Sequence, residues 1–307
     1  MTEHRLSGIP QARRAARARA IILLLASLGL SGCSSLSRGF LAPGGPIARA
    51  ERHEFLIVGI VLLFVMAPVF LLTPLIAWHY RLANTKSAFR PNWGFSWILE
   101  VLIWVPPTLI VIGLSVLLWG STVRLDPYRP VPGATGKPLD VDVVSLDWKW
   151  LFIYPAQHIA TVNQLVLPAG RPVHFALTSG TVMQSLLMPQ LAGQIYAMAG
   201  MRTELNFLVH APGTYWGENT QFNGDGFQNQ KFQINAITPA SFADWVAHAQ
   251  ADPHRLDDAA YQTLSRQSTL DKPMTFGAVE DGIFQRIVHQ QITPGYVIQH
   301  QEAKPHA

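Results

Sequence analysis

Hydrophobic residues follow three different rhythms along the chain. Near the start, "IILLLASLGLSGC" is an apolar stretch that closes on small residues. It is too short to span a hydrocarbon core of roughly 30 Å. Phe55 to Trp78 and Trp97 to Trp119 are far longer, the first uncharged and the second broken only by Glu100. At 1.5 Å per helical residue each is long enough to cross a bilayer. Pro68 and Pro74 predict kinks in the first, and both runs end in tryptophan, which favours headgroup level. From Leu139 to about Ile237 the rhythm changes to every second residue, as in Val141 and Val143, Leu165 and Leu167, Val173, Phe175 and Leu177, and Leu205, Phe207 and Val209. Turn signals such as "LPAGRP" and "HAPGTY" divide these runs, predicting an antiparallel sandwich of cupredoxin or immunoglobulin size. Alternation alone does not choose between the two. After Thr238, Phe242, Trp245 and Val246, then Leu256, Ala260 and Leu264, fall at helical spacing and predict two short helices. "YVIQHQEAKPHA" reads as a loose tail.

Charge sets the orientation. Hydrophobic residues make up 49% of the chain and charged ones 14%, a balance that points to partial residence in lipid. The pI of 9.3 comes from the first 32 residues, where five arginines face Glu3 alone; the remainder is balanced, and a nucleic-acid footprint is not supported. A basic start, a short apolar core and small residues form a secretory signal over residues 1–32. Leu30-Ser31-Gly32-Cys33 resembles a bacterial lipobox, in which Cys33 becomes the acylated first residue of a lipoprotein. Segments 33–54 and 79–96 flank the first membrane helix, 55–78. The loop 79–96 holds Arg81, Lys86 and Arg90 with no acid, so it is expected in the cytoplasm. The second helix, 97–119, then leads outward through a Pro/Gly linker, 120–138, to the sandwich, 139–237, and a C-terminal segment, 238–307. Cys33 is the only cysteine, so the outer domain has neither disulfide nor thiolate.

"VVSLDWKWLFIYPAQHIATVNQLVLPAGRPVHF", "TSGTVMQSLLMPQLAGQIYAMAGM" and "APGTYWGENTQFNGDGFQNQKFQ" resemble subunit II of the haem-copper oxidases, and within them the bo-type ubiquinol oxidases of bacteria. The resemblance weakens from about Asp271. It implies a mixed membrane/β fold: a two-helix transmembrane hairpin, a periplasmic cupredoxin-like sandwich without copper, and short C-terminal helices. It further implies an inner-membrane complex that pumps protons, oxidises ubiquinol and reduces oxygen to water. This chain would bind no cofactor. The haems, one copper and the quinol site would belong to subunit I, with subunits III and IV and the bilayer as further partners and no cytochrome c.

In cytochrome c oxidases the corresponding loop binds a dinuclear copper centre. The resemblance lays its cysteines on Asn219 and Asn223, its glutamate on Gln221, its histidine on Phe227, its methionine on Gln230 and an earlier histidine on Gln184. A mixed-valence copper pair needs bridging thiolates, and amides are poor copper ligands. The loop is therefore expected to hold itself by hydrogen bonds and by the buried faces of Trp216, Phe222 and Phe227. Met183, Met188, Met198 and Met201 read as core packing, and His158, His174 and His210 as surface or hydrogen-bonded residues. Glu100 has two readings: an interfacial glutamate reaching water, or, as the resemblance implies, the mouth of a proton channel into subunit I. Trp148 and Trp150 are expected to serve packing and docking to subunit I. Two competitors are a copper-bearing cytochrome c oxidase subunit II, opposed by the lone Cys33, and a stand-alone lipoprotein scaffold or assembly factor.

Overall fold

The computed structural model describes residues 39–85 and 91–302, so the signal segment, Cys33, Lys86 and Arg90 lie outside the described residues. Two long helices come first, α1 (Pro46–His79) and α2 (Trp97–Arg124). Each outruns its apolar stretch, taking residues from the expected segments 33–54 and 120–138. Pro46 accounts for the early start of α1, because a proline at the first helical position has no N–H to lose and a φ already suited to the helix. The apolar faces are bare, with Phe70 68% and Val116 70% exposed, and both helices are long and apolar enough to cross a membrane. Arg124, in the last turn of α2, donates to Glu54 Oε1 of α1 at 2.9 Å, joining the helices into a hairpin.

The sandwich is built from β1 (Leu139–Leu146), β2 (Lys149–Tyr154), β3 (Ile159–Val162), β4 (Gln164–Pro168), β5 (Pro172–Ser179), β6 (Gln184–Met188), β7 (Gly193–Ala197), β8 (Thr203–Leu208), β9 (Gly213–Asn219) and β10 (Lys231–Ile237). The chain continues through α3 (Pro239–Gln250), β11 (Arg255–Leu256), α4 (Asp258–Leu264), β12 (Met274–Phe276), β13 (Ala278–Val279), α5 (Ile283–Val288) and α6 (Gly295–Glu302). One sheet runs β12-β3-β2-β1-β5-β8, the other β4-β10-β9-β6-β7, and β11 pairs with β13. The expected sandwich is present but not purely antiparallel: β1 pairs with β5, and β4 with β10, in parallel. Parallel neighbours need a long crossover, and between the members of each pair the chain passes through strands of both sheets.

The alternating residues fill the space between the sheets, where Val141, Val143, Leu165, Leu167, Phe175, Leu205 and Phe207 join Trp150 and Phe232. Tyr154 ties the layers, its hydroxyl accepting from Val166 N and donating to Val166 O, both at 3.0 Å. A second core lies on the outer face of the six-stranded sheet. There Val144, Leu146, Leu151 and Ile153 meet Tyr261, Phe284 and Ile287 of the C-terminal segment. This cover on one face and the sandwich core on the other together bury every residue of β2 and explain its unbroken run "WLFIY".

Three expectations for the C-terminal segment meet different outcomes. Phe242 and Leu264 sit in helices as read, with Thr238 and Asp257 capping α3 and α4 through their side chains. Leu256 is instead in β11, hydrogen-bonded beside β13. Part of the presumed tail is the helix α6, whose start is fixed by Ser265 Oγ accepting from Gly295 N at 2.6 Å. The stretch leading into α1 is also stitched to the sandwich. Gly44 N donates to Gln190 O at 2.7 Å, His210 N donates to Gly44 O at 3.0 Å, and Ala48 is fully buried.

Candidate functional site: a closed amide network

Gln184 opens β6, Asn219 ends β9 and Gln230 immediately precedes β10, so three neighbouring strands deliver amides to one end of the sandwich. Gln230 lies at the centre and is fully buried. Its carbonyl accepts from Asn219 Nδ2 at 3.0 Å and Asn223 Nδ2 at 2.9 Å. Its amide donates to Leu146 O at 2.9 Å and to Gln184 Oε1. Gln184 Nε2 donates in turn to Thr181 Oγ1 at 2.9 Å, and Thr181 donates to the buried carboxylate of Asp147 at 2.7 Å. Asn219 Oδ1 accepts from Ser185 N and Gln221 N, both at 3.0 Å, while its Nδ2 donates to Gln221 O at 2.8 Å.

The structure thus gathers the side chains of Gln184, Asn219, Asn223 and Gln230. Gln221 joins through its backbone alone. Phe227 takes no part: it opens a 3-10 turn, Phe227–Asn229, half-buried against Phe222 with ring centroids 5.7 Å apart. The aromatic support expected of the loop is also different. Trp216 is 39% and Phe222 72% exposed, because β9 turns that side of its pleat outward and the loop tip projects beyond the sheet. Trp148 supplies the packing instead. Its ring lies so close under Gly226 that a Cβ there would collide with it, and its Nε1 donates to Asn223 O at 3.2 Å. Trp148 and Trp150 therefore form no common docking patch, since Trp150 points into the core against Phe232.

Asp147 and Lys149 stand out in the sequence as opposite charges inside "VVSLDWKWLFIY", but the sequence does not name the polar partners that such buried charges need. Asp147 also accepts from Gln267 Nε2 at 3.1 Å, and Lys149 Nζ donates to Arg266 O at 2.7 Å and Ser268 Oγ at 2.6 Å. The C-terminal segment is thereby bolted to the floor of the loop. Burial pushes the Lys149 ammonium down to about 8, with nearby Asp147 opposing the shift.

Copper does not fit this donor set. The amides are engaged with one another, no thiolate is present to bridge two metals, and no group of three or more metal-ligating side chains occurs among the described residues. What the arrangement does is hold shape. Of the four methionines only Met188 is core; Met183 and Met201 are 44% and 52% exposed, because they sit in the turns that flank β6 and β8. His174 lies between Asp140 at 3.1 Å and Glu204 at 3.5 Å, whereas His158 and His210 are exposed. Far from the loop, Glu100 stands exposed in the first turn of α2 and accepts from Trp104 Nε1 at 3.2 Å.

Comparison with known proteins covers nearly the whole chain. Residues 140–236 match the family described as cytochrome c oxidase subunit II, periplasmic domain, and residues 250–295 match the COX aromatic rich motif. The second match carries the likeness well past Asp271. The cytochrome bo(3) ubiquinol oxidase subunit 2 of Pseudomonas putida is 40% identical, over 90% of this chain and 87% of the relative. The ubiquinol oxidase subunit 2 of Acetobacter aceti is 41% identical, over 86% and 85%.

Two outcomes follow from the network. Gln230→Ala strands amide and carbonyl groups in a buried site and should lower stability by about 3 kcal/mol, read from unfolding of the full chain in detergent. Folded Lys149 releases its proton near 8 and the unfolded side chain near 10.5, so between these values the unfolded state binds more protons and stability rises with pH. Lys149→Met should flatten that rise in melting temperature.

Proposed function

The chain belongs to the ubiquinol oxidase subunit 2 family, and as that subunit we propose that it caps and braces subunit I without carrying electrons itself. It is part of a ubiquinol:oxygen oxidoreductase complex and partners subunit I. The observation that carries the non-redox reading is the closed amide network around Gln230, formed by residues onto which the sequence resemblance lays the copper ligands of cytochrome c oxidases. A lipid-soluble donor needs no metal in this domain, since electrons from ubiquinol can enter the partner subunit directly.

The finer assignments form part of the same proposal. The haems, the single copper of the oxygen site and the quinol site lie in subunit I, and subunits III and IV complete the complex. The domain faces the periplasm, the loop between the helices faces the cytoplasm, and Cys33 carries the lipid. These placements are supported by the basic loop, the signal layout and the two apolar helices. Domain limits follow the sequence divisions with the helix ends at Pro46 and Arg124.

Glu100 fits the entrance of a proton path. It stands in the first turn of α2, where the helix dipole favours a carboxylate, and it remains exposed for a partner or water to meet. An acid placed only to favour the helix would affect stability and not turnover.

Complex purified from membranes should co-migrate with a haem subunit, oxidise ubiquinol and not reduced cytochrome c, and contain one copper per complex. A second and third copper, or oxidation of cytochrome c, would defeat the reading. Glu100→Ala should slow quinol oxidation several-fold with assembly intact; unchanged proton-uptake kinetics would remove Glu100 from the path.

A further inference from the structure

The outer end of α2 holds a feature that the bracing role does not use. Trp119, Val123 and Arg124 on the helix, with Arg129, Pro130 and Pro132 on the linker, enclose an open groove of about 430 Å³. That is within the roughly 300–1,000 Å³ of ligand sites. Gly120 leaves its floor clear, since a Cβ there would meet nothing within 4 Å. The linker wall is fixed to the sandwich: Pro127 O accepts from Asn206 N at 2.9 Å and from Asn206 Nδ2 at 3.1 Å. Asp126 Oδ1 accepts from Tyr128 N at 3.0 Å and tightens the turn.

The lining changes character along its length. Trp119 and Val123 are apolar and exposed, whereas Arg124 and Arg129 offer guanidinium groups. Arg124 meets Glu54 at 2.9 Å through one nitrogen, and Arg129 lies 3.9 Å from Asp126. Their side chains are nevertheless 64% and 61% exposed, so each retains donors for a further acceptor. If Trp119 marks the headgroup belt, Arg124 stands roughly 7.5 Å farther out at 1.5 Å per residue, which is phosphate depth. Guanidinium groups bind phosphate oxygens in pairs.

We propose that this groove is a phospholipid site, with acyl chain along Trp119 and Val123 and phosphate between Arg124 and Arg129. The Asp126 carboxylate, 41% exposed beside Arg129, suits the amine of an ethanolamine headgroup. The site rests on the reading that α2 crosses the membrane.

The intact oxidase complex, equilibrated with vesicles of phosphatidylethanolamine and phosphatidylglycerol in equal parts and extracted into mild detergent, can be weighed by native mass spectrometry. One phosphatidylethanolamine should outlast delipidation, and Arg129→Gln should reduce its retention at least fivefold while quinol oxidation continues. Arg124→Gln also breaks the contact to Glu54, so Arg129→Gln is the informative variant. Equal retention in wild type and variant overturns the proposal, as does retention of phosphatidylglycerol in preference. Displacement of the lipid by millimolar inorganic phosphate would show a simple anion site and overturn it too. In the wild-type complex, absence of quinol oxidation with lipid retained defeats the functional reading alone; failure to retain the lipid with oxidation intact defeats the groove alone.

Discussion

A buried amide cannot be left half satisfied, and the loop end of this protein is organised around that constraint. Gln230 has two donors and an acceptor oxygen to place in a site with no water access, and it places them on Leu146, Gln184, Asn219 and Asn223. Each partner sits on a different stretch of chain. The hydrogen bonds therefore converge β1, β6, β9 and the loop as a metal would, by giving separate elements a shared point of attachment. A metal does this with a few strong bonds, and this network with many weaker ones whose strength comes from low local dielectric.

Asp147 extends the same logic outward. It takes hydrogen bonds from Thr181 on one side and Gln267 on the other, while Lys149 holds Arg266 O and Ser268. The C-terminal segment thus meets the sandwich through polar contacts at the loop and through apolar ones over Leu146, Leu151 and Ile153. The polar contacts fix where it lands; the apolar area supplies most of the adhesion.

The sequence made the two long apolar helices legible because twenty-odd apolar residues have few other uses in a protein. The strands were legible wherever one face met the core and the other did not. β2 broke that pattern: both its faces are covered, so period-two alternation vanished and the covering element lay more than a hundred residues away. The parallel pairings of β1 with β5 and β4 with β10 are likewise invisible to local pattern, since they depend on which strands cross between sheets. At the loop, Gln184, Asn219, Asn223 and Gln230 were legible as amides able to bond one another, but nothing local announced Gln267. Trp216 and Phe222 misled because an aromatic residue in a loop is as free to face outward as inward.

The stitching of Gly44 to Gln190 and His210 has a mechanical meaning when set beside the bond from Asn206 to Pro127. A domain tethered by one strand of chain can swivel about it. This one is gripped where the first helix departs and again where the second arrives, two fulcra on one body. Rotation about either is resisted by the other. Helices and sandwich therefore behave as a bracket, and a force applied to the sandwich is passed to the hairpin as tilt.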